Sequence, residues 1–247
     1  MILFDLPSLI LVGSSLLFAA LSGRFTRASL SVMDAVVLPV GLVGTVIGVV
    51  QMLQQMEDPT KIGPAFSVAM YTALYAAFAK ICLQARLTSE ASPTPEEPGA
   101  RGWVAAILLL VMLGSAMVMG SPLHTFGDVS AVGTLAVALG IVAGVAWATG
   151  HTDLEGSLVR ALPSVGLFML YLSLVALLAT LDDPKTLGPI LALGLLGLLY
   201  ANLLTLVLHL VIPHRVAAPS TTTQWLTFGA ALAGVVLQMG LTVYAVG

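Results

Sequence analysis

The side chains able to do chemistry are few, and they form no catalytic set. The four histidines are His124, His151, His209 and His214. The two nearest, His209 and His214, are five residues apart, a spacing that does not stack them on one helix face. There is no His-Glu-x-x-His pattern, no phosphate-binding glycine loop and no nucleophile motif. The single cysteine, Cys82, lies in an apolar segment and suggests neither an intrachain disulfide nor a metal site. These residues predict no enzyme, no metal and no cofactor. What remains are hydroxyl and amide groups set in apolar surroundings. Thr45 and Thr72 can bond their own helix backbone, while Tyr75, Tyr200 and Asn202 are candidates for contacts between helices. No Asp or Glu falls near the middle of any apolar run, and proton transfer within a membrane normally needs such a group.

The elements that must position these groups follow from composition. Of 247 residues, 58% are hydrophobic and 9% charged, and the mean hydropathy is +1.04. Soluble domains carry roughly 25% charged residues, so lipid must cover most of this surface. Apolar runs predict eight membrane-spanning helices, over 5–22, 33–54, 64–85, 102–120, 128–149, 161–180, 187–211 and 224–245, each near the ~20 residues a bilayer requires. The fold class is therefore all-α and polytopic. Asp5 is the first charge and the arginines follow the first apolar run, an order expected of a retained helix rather than a cleaved signal. Arg24, Arg27, Arg86, Arg101, Arg160 and Arg215 all fall on one side of an eight-helix topology, with Lys61 and Lys185 on the other. The positive-inside bias places those arginines in the cytoplasm and both termini outside. Lys80, late in its helix, is expected to snorkel toward the same interface. With nine basic and twelve acidic residues, no nucleic-acid footprint is predicted.

The chain repeats itself at an offset of 125 residues. MEDPTKIGPAFSVAMYTALYAAF from Met56 aligns with LDDPKTLGPILALGLLGLLYANL from Leu181, pairing Asp58 with Asp183, Pro59 with Pro184, Gly63 and Pro64 with Gly188 and Pro189, and Tyr75 with Tyr200. A weaker echo links DLPS at Asp5 to DVSA at Asp128. Each strong block reads as an outer turn: acidic-Pro closes one helix, and Gly-Pro opens the next. The expected organisation is a three-helix repeat over 1–86, a cytoplasmic linker over 87–101, a four-helix repeat over 102–215, and a final helix over 216–247 that could complete the first repeat. An offset of four helices gives the copies one orientation, hence a parallel repeat.

The stretch LVGTVIGVVQMLQQMEDPTKIGPAFSVAMYTALYAAF from Leu42 resembles the third and fourth helices of the flagellar stator A-subunits, and more broadly the MotA/TolQ/ExbB proton-channel superfamily. Gly44, Thr45 and Gly48 match that family's third-helix pattern. Asp58, Pro59, Ile62, Gly63 and Pro64 match its turn, and Ala69, Thr72, Leu74 and Tyr75 its fourth helix. The resemblance implies an oligomeric scaffold around the transmembrane helix of a smaller, single-span partner whose intramembrane Asp or Glu carries the ion. It makes Thr45 and Thr72 candidates for the ion path, and Pro59 and Pro64 shapers of its outer mouth. It also implies a bacterial inner membrane. The family's large cytoplasmic insert is replaced by about SGRFTRASLS, which makes flagellar torque doubtful. Leu170 and Gly197 stand at the second-copy positions of Thr45 and Thr72, so that copy is expected to be structural. A non-conducting assembly protein and a small-molecule transporter built on parallel repeats are the alternatives.

Overall fold

A computed structural model describes residues 5–23, 25–54, 59–87, 99–120, 122–149, 154–180, 184–212 and 220–246. The helices are α1 (Leu6–Ser22), α2 (Arg27–Leu53), α3 (Pro59–Leu87), α4 (Ala100–Gly120), α5 (Val129–Ala148), α6 (Leu154–Ala179), α7 (Pro184–Val211) and α8 (Thr221–Val246), with a 3-10 turn at Leu123–Phe126 before α5. Among the described residues there are no strands, and seven helices are long and apolar enough to cross a membrane. The remaining helix, α1, is apolar but has only 17 residues, or about 25 Å at 1.5 Å per residue.

The outer turns differ in one respect from expectation. The proline of the acidic-Pro pair, not Gly-Pro, opens each following helix: α3 begins at Pro59 and α7 at Pro184. At the first helical position the missing proline N–H has no intrahelical partner to lose. Gly63, Pro64, Gly188 and Pro189 therefore lie within helices, and Pro189 interrupts the α7 ladder as an interior proline. Asp58 and Asp183 fall outside the described residues, as do Arg24 and Arg215.

Two compact units divide the chain. The first comprises residues 1–123 and 203–219, and the second 124–202 and 220–247. In the first unit, α2 packs on α3 and α1, and α4 packs on α1. The α2 span is 78% buried, more than any other span, so α2 forms the axis of this unit. In the second unit, α6 packs on α5 and α8. The final helix packs on α6. Tyr171 on α6 donates to the Ala230 carbonyl of α8 at 3.2 Å, and Leu170 lies 2.7 Å from where a Cβ on Gly234 would stand. Contact between α6 and α8 puts the last helix in the second unit, which hydropathy alone could not assign.

Candidate functional site

The α2–α3 seam is built on small residues. A Cβ added to Gly48 would lie 2.7 Å from the Ala69 Cβ and 2.9 Å from its Cα, and one on Gly44 would lie 2.4 Å from the Thr72 Cγ2. The two backbones approach because these α2 positions carry no side chain, the small-residue packing expected where lipid gives helices no hydrophobic drive to associate. Gly48→Ala is expected to cost about 1–3 kcal/mol through overpacking, since the opposing atom at 2.9 Å is backbone and cannot rotate away. Thermal unfolding in detergent measures that loss, and an unchanged midpoint would contradict the packing.

That close approach brings the hydroxyls together. Thr45 is fully buried; its hydroxyl donates to its own helix at the Gly41 carbonyl (2.8 Å), with the Ala69 carbonyl of α3 at 3.2 Å. The buried Thr72 hydroxyl donates not to its own helix but to the Ser8 Oγ of α1, at 3.0 Å. Ser8 in turn donates to the Val68 carbonyl at 3.5 Å. Ser8 escaped the sequence reading, although its signal was present. Asp5 caps α1 by accepting from the Ser8 N–H at 3.0 Å, and that cap sets which face of the first turn points inward.

Thr72 and Ser8 line a groove of about 520 Å³ among α1, α2, α3 and α4. Its α2 wall is Gly44, Ile47, Gly48 and Gln51, and α4 contributes Met112 and Ser115. Gln51 ties α2 to α4 by donating to the Ala116 carbonyl at 2.9 Å. Thr45 stands behind this wall and does not line the groove. Thr72 and Ser8 spend their protons on other groups and keep lone pairs, so they can accept a hydrogen bond from a protonated carboxyl or offer oxygen to a cation.

The tyrosines hold helix starts. Tyr75 on α3 accepts from the Asp5 N–H at 2.9 Å. Tyr200 on α7 accepts from the Asp128 N–H at 3.1 Å and donates to the Phe126 carbonyl. Each copy thus uses its Leu-Tyr pair to fix the N-terminus of the first helix of its own unit. Asn202, by contrast, bonds within α7, to the Leu198 carbonyl at 2.8 Å.

Lys80 does not snorkel. Its side chain is fully buried, with Nζ 2.6 Å from Asp34 Oδ1 and donating to the Asp34 carbonyl at 2.8 Å. The expected start of α2 at residue 33 concealed this pair. The helix begins at Arg27, which carries Asp34 two turns inside and opposite Lys80.

The second unit closes the equivalent seam differently. Met169 stands where the first copy has Gly44, and its Cε lies 2.4 Å from where a Cβ on Gly197 would be. Large and small have exchanged helices: glycine faces threonine in one copy, and methionine faces glycine in the other. Leu170 is fully buried, so neither Thr45 nor Thr72 has a hydroxyl counterpart. Ser173 fits against Gly194 and accepts a hydrogen bond from the buried Gln238 of α8. Among the described residues, no three His, Cys, Asp or Glu side chains gather as metal ligands would.

Residues 26–86, which hold this seam and Lys80, match the MotA/TolQ/ExbB proton channel family. That stretch is similar to the family; the rest of the chain lies outside the match. The chain is 54% identical over 37 residues to the chemotaxis protein PomA of Vibrio alginolyticus, 60% identical over 37 residues to motility protein A of Cereibacter sphaeroides, and 49% identical over 37 residues to motility protein A of Aquifex aeolicus. Each alignment covers 15% of this chain and 15% of the relative. No solved structure matches. The chain is a polytopic helical membrane protein whose residues 26–86 match a proton channel family model.

Proposed function

We propose that this protein is a channel-like or ion-driven scaffold subunit of a bacterial inner membrane, surrounding a partner's transmembrane helix that bears an Asp or Glu. One coincidence carries the reading: the segment related to the proton channels supplies Thr72, the hydroxyl that bonds Ser8 in the groove. Thr72 and Ser8 lie where a titrating side chain from outside the unit could be received between helices. The ion-carrying group in the groove is assigned to the partner, because no Asp or Glu among the described residues lines the groove. Pro59 and Pro64, with Asp58 before them, are assigned to the outer mouth, and both termini to the extracytoplasmic side. The link between α1 and α2 is only residues 23–26, which leaves nothing to reach a rotor and favours an output other than flagellar torque.

A photo-crosslinking residue at Ser115, on the exposed wall of the groove, tests this. The expected adduct is a small single-span protein with a membrane-embedded Asp or Glu, and proton flux in liposomes should require both chains. Crosslinks to lipid alone, with a purified complex lacking any such helix, would sink the proposal. A non-conducting assembly role is the second reading, and the filled seam of Met169 and Leu170 favours it for the second copy. A partner bound at the groove without flux would extend that role to the whole chain.

A further inference from the structure

The Asp34–Lys80 pair has no place in the reading above, and its position argues that it is more than a clamp. Both residues lie on the α2–α3 seam that carries Thr45 and Thr72. Asp34 is eleven residues before Thr45 on α2, about 16 Å along the axis, toward the end away from the groove. Other charges are few and lie at helix ends. α2 begins at Arg27, α1 has no charged residue, α4 has Arg101 in its first turn, and α3 has Arg86 in its last turn and Lys61 in its first.

Stability does not account for placing a charge pair there, since desolvation offsets most of the attraction in a buried pair and apolar replacements are often as stable. The chain contains its own comparison. At an offset of 125 residues the positions of Asp34 and Lys80 are held by Val159 and Thr205. The second copy still brings α6 against α7 through Gly166, Gly194 and Gly197. The copy that lost both hydroxyls also lacks both charges, and helices of the same design pack without them.

Resting on the proposed conducting role, we infer that Asp34 and Lys80 form a two-site proton relay at the end of the seam opposite the groove. A proton arriving along the seam adds to the Asp34 carboxylate. Lys80 gives a proton from Nζ to water that reaches the pair beside Asp34, whose side chain is 13% exposed. The Asp34 proton then crosses the 2.6 Å to Nζ, restoring carboxylate and ammonium. One proton enters, one leaves, and no other reactant is needed. A sodium ion cannot follow, because the ammonium occupies the carboxylate and repels a second cation at that distance.

The discriminating variant is Lys80→Arg. A guanidinium keeps the charge and can pair with Asp34, but it does not release a proton. In proteoliposomes containing the protein with its co-purified partner and an internal pH-sensitive dye, Lys80→Arg should lower proton flux at least tenfold while thermal midpoint and partner recovery stay near wild type. Flux within twofold of wild type would overturn the relay and leave the conducting role intact. If Lys80→Arg does not assemble, Asp34→Asn with Lys80→Gln decides by the same criterion, since a purely structural pair would tolerate a neutral hydrogen-bonded substitute. Wild-type protein that passes no protons with its partner bound overturns both the relay and the conducting role.

Discussion

Replacing Asp34 with alanine should be the most damaging single change for the stability of the first unit, by about 3–5 kcal/mol, the range for removing one partner of a buried ion pair. The Lys80 side chain is fully buried, and its ammonium would lose its carboxylate partner, keeping the carbonyl of residue 34. The loss belongs to the stranded charge, not to the pair as such. Combining Asp34→Ala with Lys80→Met should therefore recover most of it, because a methionine fills similar volume without charge. Thermal unfolding of the two variants in the same detergent separates the cases. A double variant no more stable than Asp34→Ala would mean that the packing of the Asp34 side chain, rather than the ammonium deprived of its carboxylate, governs the site.

Thr72→Val should have the largest effect on conduction with the least effect on fold. Valine keeps the branched shape, including the methyl that lies over Gly44, and removes only the hydroxyl. Losing the bond to Ser8 should cost about 1 kcal/mol of stability, since Ser8 retains the Val68 carbonyl as acceptor. Proton flux through the complex should fall at least tenfold if this hydroxyl serves a titrating carboxyl in the groove. Thr72→Ser, which keeps the hydroxyl but lacks the methyl over Gly44, should conserve most of the flux. Leu170→Ala in the second copy serves as the control and should leave flux unchanged. Thr72→Val conducting as well as wild type would remove Thr72 from the path and leave it as a packing residue.

These two predictions rest on residues of unequal legibility. Thr72 is visible in the sequence as a hydroxyl in an apolar run, and the resemblance over residues 42–78 marks its place. Its use is not visible, because a helical threonine ordinarily bonds its own backbone, and only the approach of α1 shows that it bonds Ser8 instead. Asp34 and Lys80 are each legible as isolated charges. Their pairing is not, since it depends on the antiparallel register of α2 and α3 and on a helix start that hydropathy places six residues late. The tyrosines show the same division. Their 125-residue spacing is plain in the sequence, but that each hydroxyl accepts from the N-cap residue of a helix some seventy residues away in the chain is a fact of packing.

By itself the sequence determined that the chain is helical and membrane-embedded, where the eight helices of the described residues lie to within several residues, and that it contains a duplication. Those properties follow from local quantities: the length of each apolar run against bilayer thickness, and the recurrence of Asp-Pro and Gly-Pro at one offset. The tertiary structure decided which helices touch. It set α8 on α6, put glycine opposite threonine in one copy and methionine opposite glycine in the other, and buried a lysine against an aspartate. Such choices depend on fit between surfaces distant in the chain, where one missing Cβ lets two backbones meet and one added methionine closes the gap, and no periodicity along a single strand of sequence encodes that fit.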